Sequence, residues 1–177
     1  MVVIVLVGLA RSGKDTAADY IQRRFGFSKY TFSSVLADLL KEKKLNPTKA
    51  AMIELGSMLR KEQGMDVVAK MLDKKIKEKD NLLLVGPRSI EEIDYFKQKF
   101  GKVKIIKIVA GKDVRFTRRS DLDPQNEKEF NARDESDFQE KGMQKVLDAA
   151  QLQMNNFGSL DEFRAEVDSV MQLVLAE

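Results

Sequence analysis

Residues 8 to 16 read Gly-Leu-Ala-Arg-Ser-Gly-Lys-Asp-Thr and follow directly on an apolar run, Val2 to Val7. This pairing limits the fold more than any other stretch of the chain. An unbroken run of Val, Ile and Leu suits a strand buried on both faces, which is a strand of a parallel sheet. The spacing Gly8-x4-Gly13-Lys14 is that of a phosphate-binding loop (P-loop). Its glycines let backbone N–H groups turn inward, and the following helix start adds the positive end of a dipole. Lys14 then reaches the outer phosphates of a nucleoside triphosphate. Gly8, Arg11, Ser12, Gly13, Lys14, Asp15 and Thr16 are therefore candidate nucleotide-binding residues. The position after Lys14, where Ser or Thr ordinarily ligates Mg²⁺, holds Asp15, with Thr16 next; both are candidate metal ligands.

Composition removes several chemistries. Among 177 residues there is no cysteine and no histidine. That excludes a disulfide framework, Cys-based metal sites and any Ser-His triad, and it leaves Asp, Glu, Lys, Arg and a bound metal. The net charge of +3 suits an anionic small ligand as well as RNA, and no stacking platform or named motif points to nucleic acid. Met1 to Val7 has no basic leader and runs into the P-loop, so it does not read as a signal peptide. No run approaches the ~20 apolar residues of a membrane span. A cytoplasmic, membrane-free protein is expected.

Helix and strand signals alternate, which predicts a parallel α/β sheet. Strands are expected at Val2–Val7, Phe27–Phe32, Leu82–Val85, Val103–Val109 and Leu152–Met154. A first helix with Ala17, Ala18, Ile21 and Phe25 on one face stops at Gly26. Ser33 or Ser34 caps a second, and Asn46-Pro47 opens a third with proline at its first position. A further helix carries Val68, Met71, Leu72 and Ile76, with Lys74, Lys75, Lys77 and Lys79 on its solvated side. Ser89-x-x-Glu92 and Ser159-x-x-Glu162 read as capping boxes. Residues 111 to 142 are polar and arginine-rich, with no long apolar face.

Phosphoryl transfer is mainly a matter of positioning and charge stabilisation. Arginine suits it, because the planar guanidinium grips phosphate bidentately. Arg88 follows a strand's carboxyl end, where ligands bind in open α/β sheets. Arg60 lies between the second and third strands, and Arg115, Arg118, Arg119 and Arg133 cluster in the polar stretch.

These features together resemble the nucleoside monophosphate kinase group of P-loop proteins. Arg11 to Thr16, followed by Ala17-Ala18-Asp19-Tyr20-Ile21, resembles the start of phage-type deoxynucleoside monophosphate kinases. Leu59 to Lys70, Gly86 to Glu92, Asp123-Pro124, Glu129-Phe130, Arg133-Asp134 and Asn156 to Phe163 are similar to archaeal adenylate-kinase-related, dephospho-CoA-kinase-like proteins. The resemblance spans nearly the whole chain. It implies one P-loop kinase-like domain over residues 1–177, with an acceptor-binding region at about 33–80 and a lid at about 111–142. Arg60 and Arg88 would bind the acceptor's phosphate. Arg118, Arg119 and Arg133 would close over the transferred group, and the turn at Asn155 to Gly158, with the nucleotide-binding candidate Asn156, would lie near the donor's base. Two positions depart from the pattern: Val85 stands where relatives carry Asp before Gly-x-Arg, and Ala37 where an acceptor-helix arginine is common. The expected activity is ATP- and Mg²⁺-dependent transfer to a nucleotide or nucleotide-like monophosphate. The alternative is a nucleotide-binding switch with little turnover.

Overall fold

The computed structural model describes residues 1–77, 80–121 and 123–176, with the backbone alone at Arg133, Ser136, Glu140 and Lys141. Five parallel strands form one sheet: β1 (Val3–Val7), β2 (Ser28–Thr31), β3 (Leu82–Val85), β4 (Lys104–Val109) and β5 (Leu152–Asn155), in the spatial order β2-β3-β1-β4-β5. β1 lies at the centre, with Val5 opposite Leu84 on one side and Ile105 on the other. All five of its residues are buried, as an apolar strand covered on both faces requires.

Alternation along β1 divides the core in two. Val3, Val5 and Val7 pack with Val35, Leu36, Leu72, Ile93 and Phe96, under α2 (Phe32–Glu42), α4 (Val67–Asp73) and α5 (Ile90–Phe100). Ile4 and Leu6 face the other way, onto Ala17, Ala18 and Ile21 of α1 (Lys14–Phe25) and Val167 and Met171 of α9 (Leu160–Leu175). α3 (Lys49–Gln63) adds Leu55 and Leu59 to the first core, and α8 (Met143–Asp148) adds Met143 and Val146. α6 (Lys112–Thr117) and α7 (Glu127–Lys141) fill the polar stretch. They meet through Phe116 and Phe130, whose rings sit edge to face at 5.5 Å.

The predicted strands all form. Three helix starts differ from expectation. Thr31, not Ser33 or Ser34, caps α2, its side chain accepting from Ser34 N. Thr48, not Asn46, caps α3 by accepting from Ala51 N, so Pro47 precedes the helix instead of opening it. Ser159 and Glu162 make the full reciprocal box at α9. At α5 Ser89 accepts from Glu92 N, but the Glu92 carboxylate is used elsewhere. Ile76 lies beyond α4, which ends at Asp73, and Lys79 is outside the described residues.

Candidate active site

The loops that follow β1, β3, β4 and β5 gather at the sheet's carboxyl edge, the position at which open α/β sheets bind ligands. The loop after β1 is shaped for close approach by a ligand. A Cβ on Gly8 would come within 2.7 Å of the Ile108 carbonyl, and one on Gly13, at φ 106°, within 2.3 Å of Asn156 Nδ2. Arg11 takes a left-handed φ of 61°, which turns the chain back towards Ser12. Lys14 Nζ donates to the carbonyls of Gly8 (2.8 Å) and Leu9 (2.7 Å), so the loop holds its own lysine. Burial pushes the Lys14 ammonium down to about 7, helped by the positive charges of Arg88 and Lys49 and opposed by Asp15 and Asp137. These four groups therefore lie close enough to Lys14 for their charges to act on it. Ser12 Oγ is buried with no hydrogen-bond partner. An unpartnered hydroxyl, glycines that let the loop pack tightly on Ile108 and Asn156, and a lysine tethered to the loop fit a triphosphate chain.

Asn156, at the end of β5, braces the loop. Its Nδ2 donates to the Ser12 carbonyl at 2.9 Å. Arg118 donates to Asn156 Oδ1 (3.1 Å) and to its carbonyl (3.3 Å). The predicted residues Ser12, Asn156 and Arg118 therefore form one connected chain. Arg119 stacks its guanidinium 4.0 Å from the Phe116 ring centre and donates to the Phe116 carbonyl and to Gln125. Phe157, beside Asn156, is exposed. The Arg133 side chain lies outside the described residues. Asp15 and Thr16 are exposed in the first turn of α1. Among the described residues no three carboxylates gather as a metal cluster, so a bound Mg²⁺ would draw most of its ligands from phosphates and water. Val85 is buried in the core beside α1, where a carboxylate would lack water.

The two predicted acceptor arginines sit differently. Arg88 is part-exposed, and its Nη1 donates to Asp137 Oδ2 of α7 at 2.5 Å. Arg60 is turned inward instead of towards a ligand. Its side chain is 6% exposed, and Nε (3.0 Å) and Nη2 (2.6 Å) both donate to Glu92 Oε1. The other Glu92 oxygen accepts the backbone N–H of Arg88 at 2.7 Å. Arg60 therefore acts on Arg88 through Glu92, and direct contact with an acceptor's phosphate gives way to support of the loop. Burial raises the Glu92 carboxyl above its ordinary range, against the pull of Arg60.

Sequence reasoning missed the acidic side of the site. Asp123, Asp134 and Asp137 are all buried. Asp123 accepts from Arg11 Nε and from Lys49 Nζ, each at 2.5 Å, and so joins the P-loop to the start of α3. Asp134 takes both terminal nitrogens of Arg115, whose Nη1 also reaches the Ala10 carbonyl. Arg115 is thus a fully buried strut, not a ligand-facing lid residue. The available signal was the i,i+3 spacing of Asp134 and Asp137, which puts both on one face of a helix.

A family model described as an AAA domain matches residues 7–137, and this chain belongs to that family of P-loop proteins. Within it, the chain is 31% identical over 175 residues to a UPF0200 protein of Pyrobaculum aerophilum, covering 96% of both chains. It is 32% identical to a UPF0200 protein of Methanosarcina mazei, covering 97% of this chain and 94% of that one. These proteins are its full-length relatives. Among solved structures, the shikimate kinase of Bacteroides thetaiotaomicron superposes with a TM-score of 0.64 at 15% identity, covering 98% of each chain. Shikimate kinase from Acinetobacter baumannii in complex with shikimate gives 0.63 at 17%, covering 99% of this chain and 94% of that one. At such identities the likeness establishes the fold, a kinase-like P-loop architecture.

Proposed function

We propose that the protein is an ATP-dependent phosphotransferase that moves the γ-phosphoryl group to a nucleotide or nucleotide-like monophosphate. The observation that carries this reading is the position of Lys14, at the end of the loop after β1, and Arg88, in the loop after β3, at the same carboxyl edge of the sheet on neighbouring strands. Lys14 and the loop N–H groups hold the donor phosphates. Arg88 takes the acceptor's phosphate, with Arg60 and Glu92 fixing its backbone. Arg118, Arg119 and Arg133 stabilise charge on the group in transfer, and Asn156 with the exposed Phe157 beside it flanks the donor's base. A phosphate acceptor is already an anion, so no histidine-type base is needed. When bound, Mg²⁺ would neutralise phosphate charge, and Asp15 and Thr16 are the residues that would hold it. Asp15→Asn is then expected to raise the Mg²⁺ concentration needed for ATP binding, with Asp15→Ser restoring it. Wild-type Mg²⁺ titrations in both variants would assign Asp15 to the helix dipole instead.

The test of the acceptor assignment is Arg88→Lys. A point charge cannot reproduce a bidentate grip, so acceptor KM should rise and kcat fall at saturating ATP, with ATP affinity unchanged. A change confined to ATP affinity would remove Arg88 from the acceptor site. The second reading, a nucleotide-binding switch with little turnover, is favoured by the apolar Val85 at the strand end. ADP formation measured with a panel of nucleoside monophosphates, deoxynucleoside monophosphates and dephospho-CoA separates the two. The expected partners are small nucleotides, with neither nucleic acid nor membrane; among the described residues no helix is long and apolar enough to cross a bilayer.

A further inference from the structure

Several of the site's cations are paired with carboxylates. Arg11 and Lys49 share Asp123, Arg60 has Glu92, Arg115 has Asp134, and Arg88 has Asp137. Two of these pairings are sealed: Arg60–Glu92 and Arg115–Asp134 are buried at both ends. The Arg88–Asp137 pair, like those of Arg11 and Lys49 with Asp123, is open on the cation's side. The carboxylate is buried, but the guanidinium keeps 30% of its side chain open to solvent. It sits on the loop after β3, next in the sheet to the strand that leads into the P-loop. An anion approaching Arg88 therefore meets a guanidinium already holding a carboxylate.

α7, which carries Asp137, is mostly polar, and among its described side chains the apolar hold on the body is Phe130 and the part-buried Phe138. Phe130 is fully buried, and Asp134 and Asp137 are the inward acids one turn apart. A helix held by ion pairs more than by apolar burial can release one pair without losing a core.

We propose that Asp137 is a specificity-determining residue: an internal anion that occupies Arg88 until a substrate phosphate takes its place. This inference rests on the reading of Arg88 as an acceptor ligand. A single-charged anion that replaces a carboxylate gains little, since one ion pair is exchanged for another. A dianionic phosphate that engages both edges of the guanidinium gains more, and a larger substrate adds contacts that a free ion lacks. Asp137 thus screens out small anions, inorganic phosphate among them, and admits phosphomonoesters with a second point of attachment. It is a positioning group and does not touch the transferred phosphoryl.

The test is calorimetric titration of inorganic phosphate into the full chain saturated with a non-hydrolysable ATP analogue, so that the P-loop is filled, comparing wild type, Asp137→Asn, Arg88→Met and the double variant. Removing a charge-assisted competitor should tighten phosphate binding about tenfold in Asp137→Asn, and nucleoside monophosphate binding by a similar factor, because both displace the same carboxylate. Arg88→Met should abolish the gain in the double variant. Unchanged or weaker phosphate affinity in Asp137→Asn, with Arg88→Met still losing phosphate, overturns the exchange and leaves the acceptor reading standing. Tight phosphate binding that persists in the double variant overturns the acceptor reading and the exchange with it. A wild-type measurement stands beside these in case Asp137→Asn folds poorly. Phosphate should speed amide exchange across α7, because Asp137 lets go; unchanged or slower exchange overturns the proposal.

Discussion

Replacing Lys14 by alanine should leave the fold intact and remove phosphoryl transfer. The ammonium hydrogen-bonds only backbone carbonyls of its own loop, those of Gly8 and Leu9, so its loss breaks no tertiary strut. A preorganised donor aimed at developing charge contributes about 3–4 kcal/mol, a factor of roughly 10²–10³ in kcat. Steady-state ADP formation by a variant with the wild-type melting temperature is the measurement, and wild-type turnover would contradict the assignment. The same lysine predicts a pH signature. Its pKa in the free protein is about 7, lowered first by burial. A phosphate partner favours the charged form and moves the pKa back up. Binding therefore takes up a proton above pH 7, and nucleotide affinity falls as pH rises through that value. Calorimetry in buffers of different ionisation enthalpy should find proton uptake near pH 8 and little near pH 6.

Glu92→Leu should be the most destabilising single change at the site. It strands the Arg60 guanidinium in a buried position and deprives the Arg88 N–H of its acceptor. Breaking a buried pair from one side costs about 3–5 kcal/mol, which for a chain of this size lowers Tm on the order of 10 °C. Replacing both partners, Arg60→Met with Glu92→Leu, removes the uncompensated charge and should return most of that stability. The acceptor KM should stay high in the double variant, because the loop that carries Arg88 remains untied. Recovery of KM together with Tm would reduce the pair to a structural role.

The parts of this protein legible in the sequence are those fixed by near neighbours. Val2 to Val7 and the Gly8–Lys14 spacing specify strand, loop and helix within about fifteen residues, and the sheet follows from the alternation. The caps shifted because adjacent capping side chains compete: Thr31 stands just ahead of the Ser33 and Ser34 hydroxyls, and Thr48 just behind the Asn46 amide, and the first or last of the group took the helix. The Ser89–Glu92 pattern failed by half for a different reason. Its carboxylate is claimed by Arg60, 32 residues away. The acids of the polar stretch were invisible for the same reason. Asp137 meets Arg88 across 49 residues, and Asp123 meets Arg11 across 112, distances that no local pattern encodes.

The central position of β1 sets an order of events during synthesis. The first of the five strands to be made waits longest for a neighbour, since its partners in the sheet begin at Leu82 and Lys104. Val2 N already awaits an acceptor on Asn81, 79 residues along. At the about 5–20 residues per second of a translating ribosome, that interval is on the order of 4–16 s. For that time Val-Ile-Val-Leu-Val has no native partner, and it is a short, uncharged, β-branched segment of the kind that pairs promiscuously. The nucleotide offers no rescue, because the loop that would bind it needs Ile108 and Asn156 in place behind it. The strand that delivers the phosphate cradle is therefore also the nascent chain's point of greatest exposure to misassembly.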